Sequence, residues 1–395
     1  MAINRNILNF PKCIMIIFGV WRNHLTSNTI VQKFYIFYSL FIHIYMLIFV
    51  SSMFTWVAVA LTGVNNSAEK KDKIGLNITY LITIFTIMLK VVLCQTKNIR
   101  RTIAFVQEEE KKINSSEDLE ILDTHLEQVR FCTSINVILF ICHVVLFVFA
   151  VVENIVTRLS IERHNKAHNE TLIKPVIYEL YYHNMDPIKY ETLFVVFDDI
   201  GGTILISLSV STNIILSCVI FVSSMLKVLQ TKLRKMIVQT GDIMSALKKL
   251  AKEHQQVIGF VEDLNESVKY LILIEYTTIS LNIALVTLRF IKEKSYLMRI
   301  GRSFYCGFLV IYILALGWSS NEIKMQSVAI GDAIYESSWY EHNKKAQEML
   351  LVMMMRTQRP LTMTKGPFDE MTLQSSLMVL KAAYTYVTIM TQKQV

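Results

Sequence analysis

The chain has 395 residues, of which 53% are hydrophobic and 18% charged, with a mean hydropathy of +0.40. That composition excludes an ordinary water-soluble domain and a disordered chain, and it places the sequence among membrane proteins. The formal charge of +8 is spread through loops between apolar runs, so it points to anionic lipid headgroups and not to nucleic acid.

Gly (12) and Pro (5) are scarce, which predicts long uninterrupted helices. At the N-terminus, Ile14–Val20 is a short apolar run between Lys12 and Arg22 without a small-residue cleavage site. It reads as an interfacial helix and not as a signal peptide. Runs long enough to cross a bilayer follow at Phe34–Leu61, Ile74–Leu93, Thr133–Val152, Leu193–Leu226, Tyr270–Leu288 and Ser303–Trp318, with a last helix at about 371–391. No fixed-period repeat is visible, and the six Cys show neither disulfide nor metal spacing.

Seven spans put the termini on opposite sides of the membrane. Loops on the N-terminal side hold 24 Lys and Arg, and those on the other side hold 14. The count favours an N-terminus inside, but the basic loop Arg289–Arg302 fits poorly outside, so charge alone leaves the orientation open. The acceptor sequons at Asn65 and Asn169 would lie outside if the N-terminus is inside, which supports that orientation weakly.

The long loops carry helical periodicity. Leu247, Leu250, His254, Val257, Val261, Leu264, Val268 and Leu271 are spaced three and four apart, a coiled-coil-like seam that runs into the fifth span. Asn343–Arg359 places Ala346, Leu350, Met353 and Met354 on one face, and Pro360 stops it. Two such helices on one side predict a compact subdomain that packs subunits together. The last helix, Leu373–Met390, has membrane length yet carries Gln374, Ser375, Ser376, Lys381, Thr385 and Thr388. A charge at membrane depth is costly unless it faces protein or water. This helix is therefore expected to face a pore or a partner.

The string LLVMMMRTQRPLTM (350–363), followed by LQSSLMVLKAAYTYVTIM, resembles the C-terminal signature of the insect odorant receptors. SVAIGDAIYESSWY (327–340), EHQQVIGFVEDLNESV (253–268) and the pair Gly19 and Trp21 resemble further motifs of that family. The resemblance is strong over about 253–390 and rests on length and span pattern before that. It implies an all-α membrane protein with seven transmembrane helices, a cytosolic N-terminus and a cytosolic helical anchor. The implied division is an N-terminal cytosolic or interfacial segment (1–33), a ligand-binding bundle of helices 1–4 (34–226) and an anchor (227–269). Helices 5–6 with a cytosolic extension (270–340), an anchor helix and loop (341–369) and a pore-lining last helix (370–392) complete it. The implied function is an odorant-gated, non-selective cation channel. It would bind volatiles, sit in the plasma membrane of olfactory sensory neurons and share a pore with the family's co-receptor in a hetero-oligomer, expected to be a tetramer. A gustatory-type receptor and a G-protein-coupled receptor are the alternatives. No Asp-Arg-Tyr-like or Asn-Pro-x-x-Tyr motif is present for the latter, and paired broken helices that would mark a transporter are not evident.

On this resemblance the pore residues are Thr385, Thr388, Ile389 and Gln392, with Ile389 as a constriction and Gln392 as a polar ring near the mouth. Lys393 would reduce cation flow through this subunit's sector. The other reading of these positions is ordinary helix packing. The ligand pocket implied is apolar and aromatic, lined by Tyr80, Ile84, Phe147, Val151, Phe197, Phe304, Tyr305 and Phe308. Asp198 and Asp199 begin the fourth span and are expected at the outer interface or as a helix cap. Lys90 and Glu275 are intramembrane charges, each near a span boundary and expected to snorkel to the interface. His164 and His168 have metal-ligand spacing but are expected in a solvated loop. No cofactor is expected. No nucleophile–base constellation or nucleotide loop is visible, so no enzyme activity is expected.

Overall fold

The computed structural model describes residues 6–21, 29–62, 68–168, 180–181, 189–211, 213–238, 243–293 and 295–392. The elements in order are α1 (Asn9–Ile17), α2 (Thr29–Thr62), α3 (Ala68–Cys94), α4 (Lys97–Asn114), α5 (Leu119–His168), α6 (Glu191–Ser211) and α7 (Ile214–Val238). After these come α8 (Ile243–Lys292), α9 (Tyr296–Tyr335), a 3-10 turn (Trp339–Glu341), α10 (Lys344–Thr357), β1 (Thr364–Lys365), β2 (Asp369–Glu370) and α11 (Leu373–Gln392). Among the described residues the fold is therefore all-α apart from one short antiparallel hairpin, β1–β2.

Six helices among the described residues are long and apolar enough to cross a membrane. The most apolar windows of α2 and α5 are only 28% and 11% buried within the chain, whereas that of α7 is 83% buried. Phe34, Phe37, Leu47 and Phe54 of α2 project outward, as side chains facing lipid do. In α7, Phe221, Leu226 and Leu233 are fully enclosed. At membrane depth such burial stabilises through van der Waals packing between helices and not through removal from water. A helix apolar on all sides and buried on all sides is a core helix.

The run Leu193–Leu226 proves to be two helices and not one span, since the chain divides between Ser211 and Ile214. The third, fifth and sixth runs sit inside helices of 50, 50 and 40 residues, much longer than their apolar stretches. The extensions build a helical base. Every member of the seam from Leu247 to Leu271 is buried, and it packs within this chain, against α4, α7, α9 and α10. Its periodicity is therefore satisfied internally and is not left open for another subunit. Phe105 of α4 stacks on Phe260 of α8 at 4.8 Å, and Phe221 meets the same ring edge-on at 6.4 Å. Ala346, Leu350 and Met353 of α10 are buried as their spacing predicts, with Met354 at the margin. Asn343 caps that helix, accepting from the Ala346 N–H at 2.9 Å.

The N-terminal helix is held by the protein itself. Ile14 and Met15 are buried, while Ile17 stays exposed. The helix ends in a Schellman turn, with Val20 N–H donating to Met15 O and Gly19 N–H to Ile16 O. Gly19 has φ of 69°, and a Cβ there would lie 2.9 Å from Ser39 Cα. Only glycine serves both the turn and the contact with α2.

Candidate functional site: the last helix and the aromatic bundle

The link before α11 is tied to α8. Gly366 N–H donates to Lys269 O at 2.8 Å, and Thr364 N–H donates to Asn265 Oδ1 at the same distance. Thr372 and Ser375 then cap α11 reciprocally, with Thr372 N–H donating to Ser375 Oγ at 3.0 Å and Ser375 N–H to Thr372 Oγ1 at 3.2 Å. This is the capping-box arrangement with Ser in place of the usual Glu.

The polar residues of α11 divide into two groups. Ser375 and Ser376 are buried against α8 and α9 and belong to the chain's own packing. Gln374, Lys381, Thr385 and Gln392 are exposed, and Ile389 is 47% exposed. Thr388 is half-buried. Lys381, Thr385, Ile389 and Gln392 recur at steps of four, four and three, so they form one outward stripe. Thr385 and Thr388 turn their hydroxyls back to the Lys381 and Tyr384 carbonyls, at 3.0 and 2.7 Å. A hydroxyl satisfied within its own helix can sit at membrane depth without a partner elsewhere. Lys393 lies outside the described residues, as do Asn65 and Asn169.

The aromatic set is distributed over four helices. Ile84 and Phe308 are buried, and Tyr80, Phe147, Val151, Phe197 and Tyr305 are half-buried. Phe304 is 54% exposed and packs on Phe149 at 5.5 Å. Phe308 meets His143 edge-on at 4.5 Å, and His143, Phe147 and Val151 follow one another at steps of four along α5. Phe197 of α6 packs on Tyr45 and Phe49 of α2 at 5.0 and 5.8 Å, and Tyr45 donates its hydroxyl to the Phe197 carbonyl. Two surface clefts are formed elsewhere. One of about 220 Å³ lies between α3 and α8, and one of about 350 Å³ lies between α8 and α11, and none of the eight residues lines either.

A family model for the 7tm odorant receptor matches residues 72–384. The chain belongs to the odorant receptor family. It is 30% identical over 152 residues to Odorant receptor Or2 of Anopheles gambiae, covering 38% of this chain and 40% of that protein. It is 29% identical over 144 residues to Odorant receptor 10 of Aedes albopictus, covering 36% and 38%. These alignments span about two fifths of the length of the curated relatives. In fold, the chain resembles the insect olfactory receptor OR5 from Machilis hrabei with a TM-score of 0.79 at 16% identity, covering 96% of both chains. The same receptor in complex with eugenol gives 0.76 at 14%, covering 97% and 96%.

Within this odorant receptor, several sequence readings need correction. Lys90 of α3 and Glu275 of α8 do not snorkel. They form a buried ion pair, each 6% exposed, and Tyr312 of α9 donates to Glu275 Oε1 at 2.6 Å. Pairing removes the need to reach the interface, and breaking such a buried pair costs about 3–5 kcal/mol. Asp198 and Asp199 stand in the second and third turns of α6, with Asp198 buried, so neither caps a helix start. His164 and His168 lie on the last turns of α5 and not in a loop, their rings stacked at 4.3 Å. His143, Tyr45 and Tyr312 were missed. Only His143 left a trace in sequence, as a polar residue inside an apolar run four positions before Phe147.

Proposed function

We propose that this odorant receptor is a ligand-gated, non-selective cation-channel subunit of the plasma membrane of olfactory sensory neurons, with its N-terminus in the cytosol. It binds a volatile in the bundle of α3, α5, α6 and α9, among Tyr80, Ile84, Phe147, Val151, Phe197, Phe304, Tyr305 and Phe308. It shares its pore with the family's common co-receptor in a hetero-oligomer, expected to be a tetramer. The observation that carries this reading is the outward stripe of α11. The helix uses its buried serines to hold itself to α8 and α9, and among the described residues Lys381, Thr385, Ile389 and Gln392 stay exposed along its outward face. A membrane helix keeps such a stripe only against water or a partner. With no carboxylate ring on it, weak cation selection is expected. Eugenol in the Machilis receptor supports small aromatic volatiles as the first class to try.

Co-expression with the co-receptor, with current recorded while a volatile panel is applied, tests the proposal. Odour-evoked cation current is expected, and its absence with confirmed surface protein would reject the channel reading. Within the same preparation, Ile389→Ser is expected to raise basal leak several-fold. An unchanged closed-state conductance would remove Ile389 from the gate.

A further inference from the structure

The two charges inside the apolar helices lead beyond the ligand and pore residues. Lys90 Nζ contacts Glu275 Oε1 and donates to Tyr312 Oη at 3.2 Å, while Tyr312 Oη donates to the same carboxylate oxygen at 2.6 Å. Three helices, α3, α8 and α9, thus meet at one atom. The residues joined lie 185 and 37 positions apart in the chain, so no local preference creates the cluster.

One step along α8 and one along α9, a second polar cluster reaches α11. Ser376 Oγ donates to the Ile313 carbonyl at 2.9 Å and stands 3.1 Å from Tyr276 Oη. A serine hydroxyl has one proton, so with that proton on Ile313 O the tyrosine is the donor to Ser376. Glu275 and Tyr276 are adjacent on α8, and Tyr312 and Ile313 are adjacent on α9. Two polar clusters on adjacent residues of α8 and α9 therefore stand between α3, on the proposed ligand side, and the buried root of α11, on the proposed pore side.

An apolar contact at this level would hold the helices together by area alone and would tolerate sliding. Directional bonds to a buried charge are either made or lost, and they fix one register at a time. Coupling between two sites needs an element with two discrete arrangements. We propose that Lys90, Glu275 and Tyr312 form a positioning lock that ties α3 to α11 through Tyr276, Ser376 and Ile313 and transmits ligand occupancy to the last helix. This rests on the channel reading above.

The experiment has two arms. In the first, wild-type receptor, Tyr312→Phe and Ser376→Ala are recorded with the co-receptor against one volatile panel, with surface protein quantified. Wild-type current tests the channel reading by itself. Given that current, both variants are expected to lower the maximal evoked response at least about fivefold for every volatile alike, leaving the rank order of volatiles unchanged. Lys90→Glu is expected to abolish the response, and adding Glu275→Lys to recover at least half of it. Currents within twofold of wild type in both conservative variants would overturn the lock. So would a changed rank order, which marks a ligand contact, or a loss of surface protein in both, which marks a folding role alone.

The second arm needs no current. Thermal midpoints of the purified receptor are measured for Lys90→Met, Ser376→Ala and the double variant. Non-additive shifts are expected if the layer is continuous, and strictly additive shifts would overturn it.

Discussion

Two helices of this receptor invert the usual relation between hydropathy and burial. The most apolar window of α5 has mean hydropathy 2.9 and is 11% buried within the chain, while that of α7 has 1.9 and is 83% buried. In a water-soluble protein the more apolar helix would be the inner one. Here α5 leaves its apolar face for lipid, and α7, flanked by α5, α8 and α9, supplies the packed centre. The packed interior of the chain is thus at α7, while α5 keeps most of its apolar surface outside it.

The contrast can be broken most directly at Phe221, which is fully buried in α7. Phe221→Ala is expected to cost about 3–5 kcal/mol, seen as a lower thermal midpoint in detergent and reduced surface protein. At the boundary between regions, Gly201→Ala places a Cβ 2.2 Å from the Phe49 ring and is expected to cost about 1–3 kcal/mol. Glu110 of α4 sharpens the contrast through pH. Burial raises its carboxyl from 4.5 to about 7, against the smaller opposing effect of the Ile7 N–H donated to it. A group with a raised folded-state value gives stability that is full below pH 4.5 and lost as pH rises through about 7. The base should therefore soften over that window by about 3 kcal/mol, and Glu110→Gln should flatten the dependence, measured as thermal midpoint against pH. Val148→Ala, on the outward face of α5, is expected to cost under about 1 kcal/mol. A cost equal to that at Phe221 would defeat the comparison.

What the sequence disclosed follows from which forces are local. The seam from Leu247 to Leu271 was legible because burial on a helix imposes a period, and every member is buried. Pro360 marked the limit of α10 because a prolyl ring cannot continue a helix, and α10 ends at Thr357. The division of Leu193–Leu226 was not legible, because both sides of it are apolar and hydropathy does not register a change of neighbours. The hairpin of Thr364–Lys365 with Asp369–Glu370 left no pattern either, since two residues carry no alternation and contacts to α8 hold it. The Lys90–Glu275 pair is not legible in the sequence, because nothing in a linear order joins positions so far apart. Of the last helix, the polarity was visible but its division was not. Only contact with α8 and α9 distinguishes Ser376, which is buried, from Thr385, which is open.

The length of α5 has a mechanical consequence. Fifty residues at about 1.5 Å each make a rod of roughly 75 Å, more than twice the roughly 30 Å thickness of a bilayer's hydrocarbon core. A continuous helix of that reach acts as a lever. A tilt of about 5° around its middle sweeps each tip by roughly 3 Å, in opposite directions and in two different aqueous compartments. For a rigid rod, displacement of one end therefore accompanies displacement of the other.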